Sequence, residues 1–362
     1  MSLKLIKRLR PEVDYSALIN TDDDHSLDKF TETDLGYGIH ANCTLGGTLP
    51  KDVLNDYREP GILTGYRSEY RSLKLCILSV FHLHNETVNI WTQIIPAAFF
   101  CTQLFFTNDP FLLIYLGTTV SFLLTSACAH TFSCYSATGR HVCFFFDYAG
   151  ITLYSCGCAV CYYAYALPQD FMRPSAYLNA DVCDVYLFLS VFLSIWSTHL
   201  SGTTRFWKPS FKRKCIRLCA FLIIWLYLAI PVLWRLAKCA LLSGSGHYGD
   251  CVSMYYWILQ FMSAVTAGLL YVSHFPERWF PGRFDLFGHS HQIFHVFGAS
   301  GAYNQYRALR VDLRERSPGL LLNHSPSFPL CLLCVVIVMF ANLIIFRKFY
   351  KKLNRLSAEK QL

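Results

Sequence analysis

The stretch Leu218-Cys-Ala-Phe-Leu-Ile-Ile-Trp-Leu-Tyr-Leu-Ala-Ile-Pro-Val-Leu-Trp234 carries no charged side chain, and Lys208, Lys212, Arg213, Lys214 and Arg217 stand just before it. A helix needs about 20 mainly apolar residues to cross the hydrocarbon core of a bilayer. Residues 216–242 provide that length. Lysine and arginine accumulate in cytosolic loops, so this passage predicts a transmembrane helix and also its direction, entering from the cytosol.

The whole chain agrees with that reading. Of 362 residues, 53% are hydrophobic, 16% aromatic and only 15% charged, which is too apolar for a soluble protein and fits a polytopic membrane protein. The basic stretch Met1–Arg10 is followed by acidic and polar residues where a signal peptide needs an apolar core, so the first span is expected to act as its own insertion signal. The net charge of +8 is modest and lies near the spans, which points to anionic membrane lipids as a contact and not to nucleic acid. The 16 cysteines fall mostly inside apolar runs, such as Cys156, Cys158, Cys161, Cys331 and Cys334. They are expected to act as small hydrophobes and not as bridges, and the Cys158/Cys161 spacing lacks the second pair that a zinc or redox motif needs.

Cutting the chain at its polar breaks gives spans at about 88–106, 111–134, 143–166, 183–202, 216–242, 252–273 and 289–305, with an eighth at 327–346. The expected fold class is therefore an all-α membrane protein, a seven-helix transmembrane bundle with an additional C-terminal span. Residues 1–57 read as a polar cytosolic tail, 58–305 as the core, 306–325 as an extracellular loop, 326–346 as the eighth helix and 347–362 as a basic cytosolic tail. Leu73 to Leu83 is too short to span and reads as an interfacial or buried helix. Arg140, the basic run 205–217, and Arg278 with Arg283 place the N-terminus in the cytosol, whereas Arg307, Arg310, Arg314 and Arg316 oppose that orientation.

Within this topology several polar residues arrive at one depth. His291 and His295 are four apart at the head of the seventh span, a spacing that stacks both imidazoles on one helix face. His130 closes the second span and Asp147 opens the third, so three histidines and a carboxylate meet near the cytosolic face. Three neutral imidazoles would leave one position open on a tetrahedral Zn²⁺, the arrangement of a catalytic site, where bound water is acidified to a pKa near 7. Asp147 can then accept a proton or orient a ligand, and Ser126, one turn before His130, can donate a hydrogen bond to a developing oxyanion. The same groups would also satisfy one another as a polar lock between helices. His199 and His274 read as interfacial capping groups and His289 as solvent-facing. Asn85 heads a sequon on the wrong side of the membrane, and Asn323-His-Ser325 lies on the outer side but close to the bilayer, ahead of Pro326.

These residues resemble the progestin and adipoQ receptor family, part of a wider group of membrane proteins that includes alkaline ceramidases. The likeness rests on Glu59-Pro-Gly-Ile62 with Gly65-Tyr-Arg67, on Asn85-Glu-Thr-Val-Asn-Ile-Trp-Thr92, on Ser126 and His130 with Asp147-Tyr148, and on Gly288-His-Ser-His-Gln-Ile-Phe-His295. It implies zinc held by His130, His291 and His295, with Asp147 beside the metal-bound water. The eighth span, the Glu59–Ile62 segment and the run Pro276–Asp285 are more similar to the membrane progestin receptor branch. Gln93 stands where the family usually has histidine.

The resemblance implies a plasma-membrane receptor for a progestin or related steroid, giving rapid non-nuclear signalling, with G proteins among its partners. It also implies a second reading: a zinc-dependent, ceramidase-like enzyme that hydrolyses the amide of a sphingolipid, with Asp147 and Ser126 in the catalytic machinery. A metal-stabilised scaffold without turnover is a third.

Overall fold

The computed structural model describes residues 58–168, 182–241, 251–316 and 326–359. The expected tail 1–57 and the Asn323 sequon lie outside the described residues. The helices run in the order α1 (Leu73–Ser79), α2 (Thr87–Gln103), α3 (Pro110–Phe132), α4 (Ala137–Cys161), α5 (Val182–Thr203), α6 (Phe211–Leu241), α7 (Met254–Ser273), α8 (Ser290–Glu315) and α9 (Phe328–Glu359). Among the described residues there is no strand.

Among the described residues, seven helices are long and apolar enough to cross a membrane: α2 with the 3₁₀ turn to Phe106, α3, α4 with the π turn to Ala166, α5 with the turn to Phe206, α6, α7 and α9. The helix α8 has the length, at 26 residues, but its histidines, arginines and Asp312 keep it below that threshold. It packs against α7 and α2 within the bundle, as a polar helix inside a membrane protein must. The bundle closes as a ring in chain order, with α9 outside it against α4 and α5. The short α1 exposes Leu73, Ile77 and Leu78, followed by Phe81 and Leu83, which suits an interfacial helix.

Local sequence explains the closest contact. Gly150 and Gly157 of α4 sit where any Cβ would collide with the hydroxyls of Thr125 and Thr118 on α3. Small residues at such positions let two membrane helices approach closely. The close approach holds the last turns of α3, with Ser126 and His130, against the middle of α4, where Asp147 stands, instead of at the helix start expected from sequence.

The centre of the bundle is aromatic and hydrogen-bonded. Gln305 of α8 accepts from Tyr154 Oη and donates to Tyr162 Oη at 2.6 Å, while Tyr115 Oη donates to the Ala302 carbonyl at 2.9 Å. At the far end from His130, Arg235 and Asp312 form a two-pronged ion pair, each prong 2.8 Å. Ser253 Oγ at 2.6 Å and Trp257 Nε1 at 3.2 Å also donate to Asp312.

Three features differ from the sequence reading. The helix expected to end at residue 305 continues to Glu315, because Asp312 is buried against Arg235 and Arg307 reaches Tyr303 and Tyr256 at 2.9 and 2.8 Å. Arg307 and Arg310 lie over Tyr256 and Tyr306, so they are side chains snorkelling from a helix end and not an external basic loop. The eighth span likewise extends to Glu359. Cys239 and Cys251 form a disulfide between the end of α6 and the segment before α7, which the burial-based reading of the cysteines missed.

Candidate metal centre

His130 sits in the last turn of α3, and Arg67 holds that turn from outside. The guanidinium donates to the carbonyls of His130 and Thr131 and to Ser79 Oγ, the last two at 2.9 and 3.0 Å. Carbonyls at a helix C-terminus have no partner within the helix, so the buried arginine supplies one and fixes the backbone that carries the imidazole.

The N-terminus of α8 is fixed just as firmly. Glu277 accepts from Ser290 N at 2.6 Å and from Ser290 Oγ, which places a carboxylate on the first turn, where unpaired N–H groups and the helix dipole favour negative charge. The loop bearing Glu277 is tied to the segment 59–67. Asp285 accepts from Leu63 N at 3.1 Å and Thr64 Oγ1 at 2.6 Å, and Gly282 N donates to the Gly61 carbonyl at 3.0 Å. His289, read from sequence as solvent-facing, is buried, with Nε2 3.1 Å from the Asn85 carbonyl. Its backbone precedes the helix, so helical phase does not set its direction.

His130, His291 and His295 come together, with one ring nitrogen of each lying within 4.8 Å of the others. Outer partners decide which nitrogens face inward. Nδ1 of His130 lies 2.8 Å from Oε2 of Glu86, and Asn89 Nδ2 donates to the same oxygen at 2.6 Å. Burial would raise the Glu86 carboxyl, but the facing His130 and Arg67 outweigh it and hold the group well below the usual carboxylate range. An ionised carboxylate only accepts, so in a neutral His130 the tautomer that donates from Nδ1 is the one this contact favours, which turns the Nε2 lone pair inward. Nδ1 of His295 faces the Asn89 carbonyl at 3.2 Å, with the same result.

The Nε2 atoms of His130 and His291 are 3.3 Å apart. Two nitrogens each about 2.0–2.1 Å from a tetrahedral zinc would be separated by about 3.3–3.4 Å. The donor set, the inward lone pairs and the carboxylate behind His130 all fit a zinc site, since metal-binding imidazoles usually give their other N–H to a carboxylate or carbonyl. Asp147 is half-buried and stands outside this triad; its electrostatic neighbours include His130, Ser126, Arg205 and Arg217.

Sequence reasoning passed over Glu86, Asn89, Arg67 and Glu277. Glu86 lies inside the Asn85–Thr92 motif, and that position was the available signal. His84, two residues earlier, is pushed down to about 3, by burial first and then by the charge of Arg67. It stays neutral, with Nε2 3.0 Å from the Ser79 carbonyl and Nδ1 accepting from Glu86 N at 3.1 Å.

With this geometry in view, comparison with known proteins is decisive. A sequence profile of haemolysin-III-related proteins matches residues 81–306. The chain belongs to the haemolysin-III-related family. The matched region encloses Glu86, His130, Asp147, His291 and His295 and leaves α9 outside. Similar family members include human "Membrane progestin receptor gamma", 37% identical over 307 residues, covering 80% of this chain and 89% of that protein. The zebrafish (Danio rerio) "Membrane progestin receptor gamma-A" is 37% identical over 291 residues, covering 73% and 81%. Human "Membrane progestin receptor delta" is 35% identical over 319 residues, covering 82% and 88%.

Proposed function

We infer that this multi-pass membrane protein is a membrane progestin receptor, taking a steroid from the bilayer and passing the signal on at the membrane. The observation that carries the inference is the likeness to human membrane progestin receptor gamma, which covers 80% of this chain and 89% of that protein. Saturable binding of a radiolabelled progestin to membranes containing the chain, above that of control membranes, is the expected result. Absence of saturable binding contradicts the inference. The relatives named above are receptors, and none of these names speaks for the sphingolipid hydrolase.

His130, His291 and His295 are the proposed zinc ligands. When bound, zinc would supply a fixed link between α3 and α8 and a Lewis acid. The chain's own groups prepare that junction. Glu86 orients His130, the Asn89 carbonyl orients His295, and Arg67 and Glu277 hold the two helix ends. Asp147 and Ser126 offer hydrogen bonds to a polar group that reaches the cluster. A steroid that favours one arrangement of α8 against α3 would shift the population of that arrangement, which is all that signalling requires of it.

The proposed orientation puts the N-terminus and the 205–217 run in the cytosol and the chain in the plasma membrane. Two features support that orientation: the basic residues at the start of α6 and the Cys239–Cys251 disulfide at its other end, since disulfides persist in oxidising compartments. The basic cytosolic face then meets anionic lipid and, by the family resemblance, G proteins.

A further inference from the structure

The short helix α1 meets the end of α3 at two cysteines. Sγ of Cys76, in α1, lies 3.7 Å from Sγ of Cys134, which stands two residues beyond α3. Both side chains are buried, 0% and 4% exposed. The two segments are held in register, with Tyr70 N donating to the Cys134 carbonyl at 3.0 Å and Arg71 N to the Tyr135 carbonyl at 3.2 Å. A small hollow lined by Cys134, Arg67, Glu86, Ser133 and Arg140 among others opens beside one of the thiols.

We propose that Cys76 and Cys134 form a peroxide-sensitive dithiol whose disulfide fastens α1 to the end of the helix that carries His130. Cys134 is the attacking sulfur because the hollow reaches it and Arg67 faces it. Hydrogen bonding to Cys76 first, opposed by burial and reinforced by the Arg67 charge, holds the Cys134 thiol below its ordinary pKa. The Cys134 thiolate attacks one oxygen of hydrogen peroxide. The O–O bond breaks, and the hydroxide that leaves takes up a proton as water. The resulting sulfenic acid is attacked by the sulfur of Cys76. The S–O bond breaks, the S–S bond forms and a second water leaves. Two thiols lose two electrons, and one peroxide becomes two waters.

Closing the bond needs the sulfurs to approach by less than about 2 Å, since a disulfide spans about 2.05 Å. The backbone pairing between residues 70–71 and 134–135 already sets their separation. In the proposed orientation this pair faces the cytosol, where thiols are kept reduced, so the resting state is the dithiol and reduction restores it. The consequence is mechanical. Arg67 couples α1 to the His130 carbonyl through Ser79, and a bond across Cys76 and Cys134 makes that coupling covalent.

Full-length protein purified in detergent and treated with increasing hydrogen peroxide, then alkylated, digested without reduction and mapped by mass spectrometry, tests the proposal. A Cys76–Cys134 linked peptide is expected, removed by reduced thioredoxin, together with a rise in melting temperature that Cys134→Ser lacks. If Cys134→Ser fails to fold, the wild-type peptide map and the Cys76→Ala variant carry the same test. Three results would overturn the proposal: no linked peptide, linkage of Cys134 to the neighbouring Cys143, or a Cys76–Cys134 bond that leaves the melting temperature unchanged.

Discussion

Oε2 of Glu86 lies 2.8 Å from Nδ1 of His130, so a carboxylate just ahead of α2 sets the proton position on an imidazole at the end of α3. Glu86→Gln keeps the shape but loses the charge that holds the proton on Nδ1. Such partners behind a metal ligand are typically worth roughly 10- to 100-fold in metal affinity. Competition against a fluorescent chelator should show a loss in that range, and unchanged affinity would make the contact incidental.

His84 gives a pH signature. Its folded pKa is about 3, lowered by burial and then by Arg67, against about 6.5 when unfolded. Between those values the unfolded chain binds the extra proton, so stability rises with pH and is lost as pH falls below about 6.5. The His84 contribution approaches about 1.4 kcal/mol per pH unit midway through that window. Melting curves of wild type and His84→Gln should diverge as pH is lowered from 7 to about 4, with the wild type losing more. Parallel curves would show that His84 gains its proton without cost.

At the other end of the bundle, Asp312 neutralises Arg235, and both are essentially inaccessible to solvent. Asp312→Asn leaves a buried guanidinium without its countercharge, a change that typically costs about 3–5 kcal/mol. A marked drop in melting temperature is expected, larger than that of Ser253→Ala, which removes the two hydrogen bonds Ser253 makes to Asp312 and Arg235 but leaves the ion pair. Equal effects would mean that the charge is not what matters.

The α9 helix docks through Phe349, whose ring occupies the space where a Cβ on Gly202 would stand. Gly202→Val should loosen α9 and lower stability by about 1–3 kcal/mol, as overpacking does. Adding Phe349→Ala should recover part of that loss. Additive losses in the double variant would place the defect elsewhere.

The spans were legible because a bilayer demands long apolar runs, and even α8, the least apolar of them, was legible because polar breaks bound it. Its last turns were not, since Arg307, Arg310 and Asp312 have the composition of a loop. Only the fold shows that Tyr256 receives Arg307, Tyr306 lies under Arg310 and Arg235 pairs with Asp312. The Cys239–Cys251 pairing depends on where two helix ends lie in space, and each cysteine read alone resembles its apolar neighbours. His130, His291 and His295 were found by depth and spacing, whereas Glu86 was passed over because nothing in a linear sequence says which helix a carboxylate faces. His289 was misdirected by applying helical phase to a residue that precedes the helix.

Zinc content of the purified protein decides whether His130, His291 and His295 hold a metal. Elemental analysis of wild-type protein should give about one zinc per chain. His295→Ala should lose most of that metal, and Asp147→Asn should retain it, because Asp147 stands outside the triad. Wild-type protein without zinc, or His295→Ala with its full complement, would contradict the assignment of His130, His291 and His295 as a metal centre.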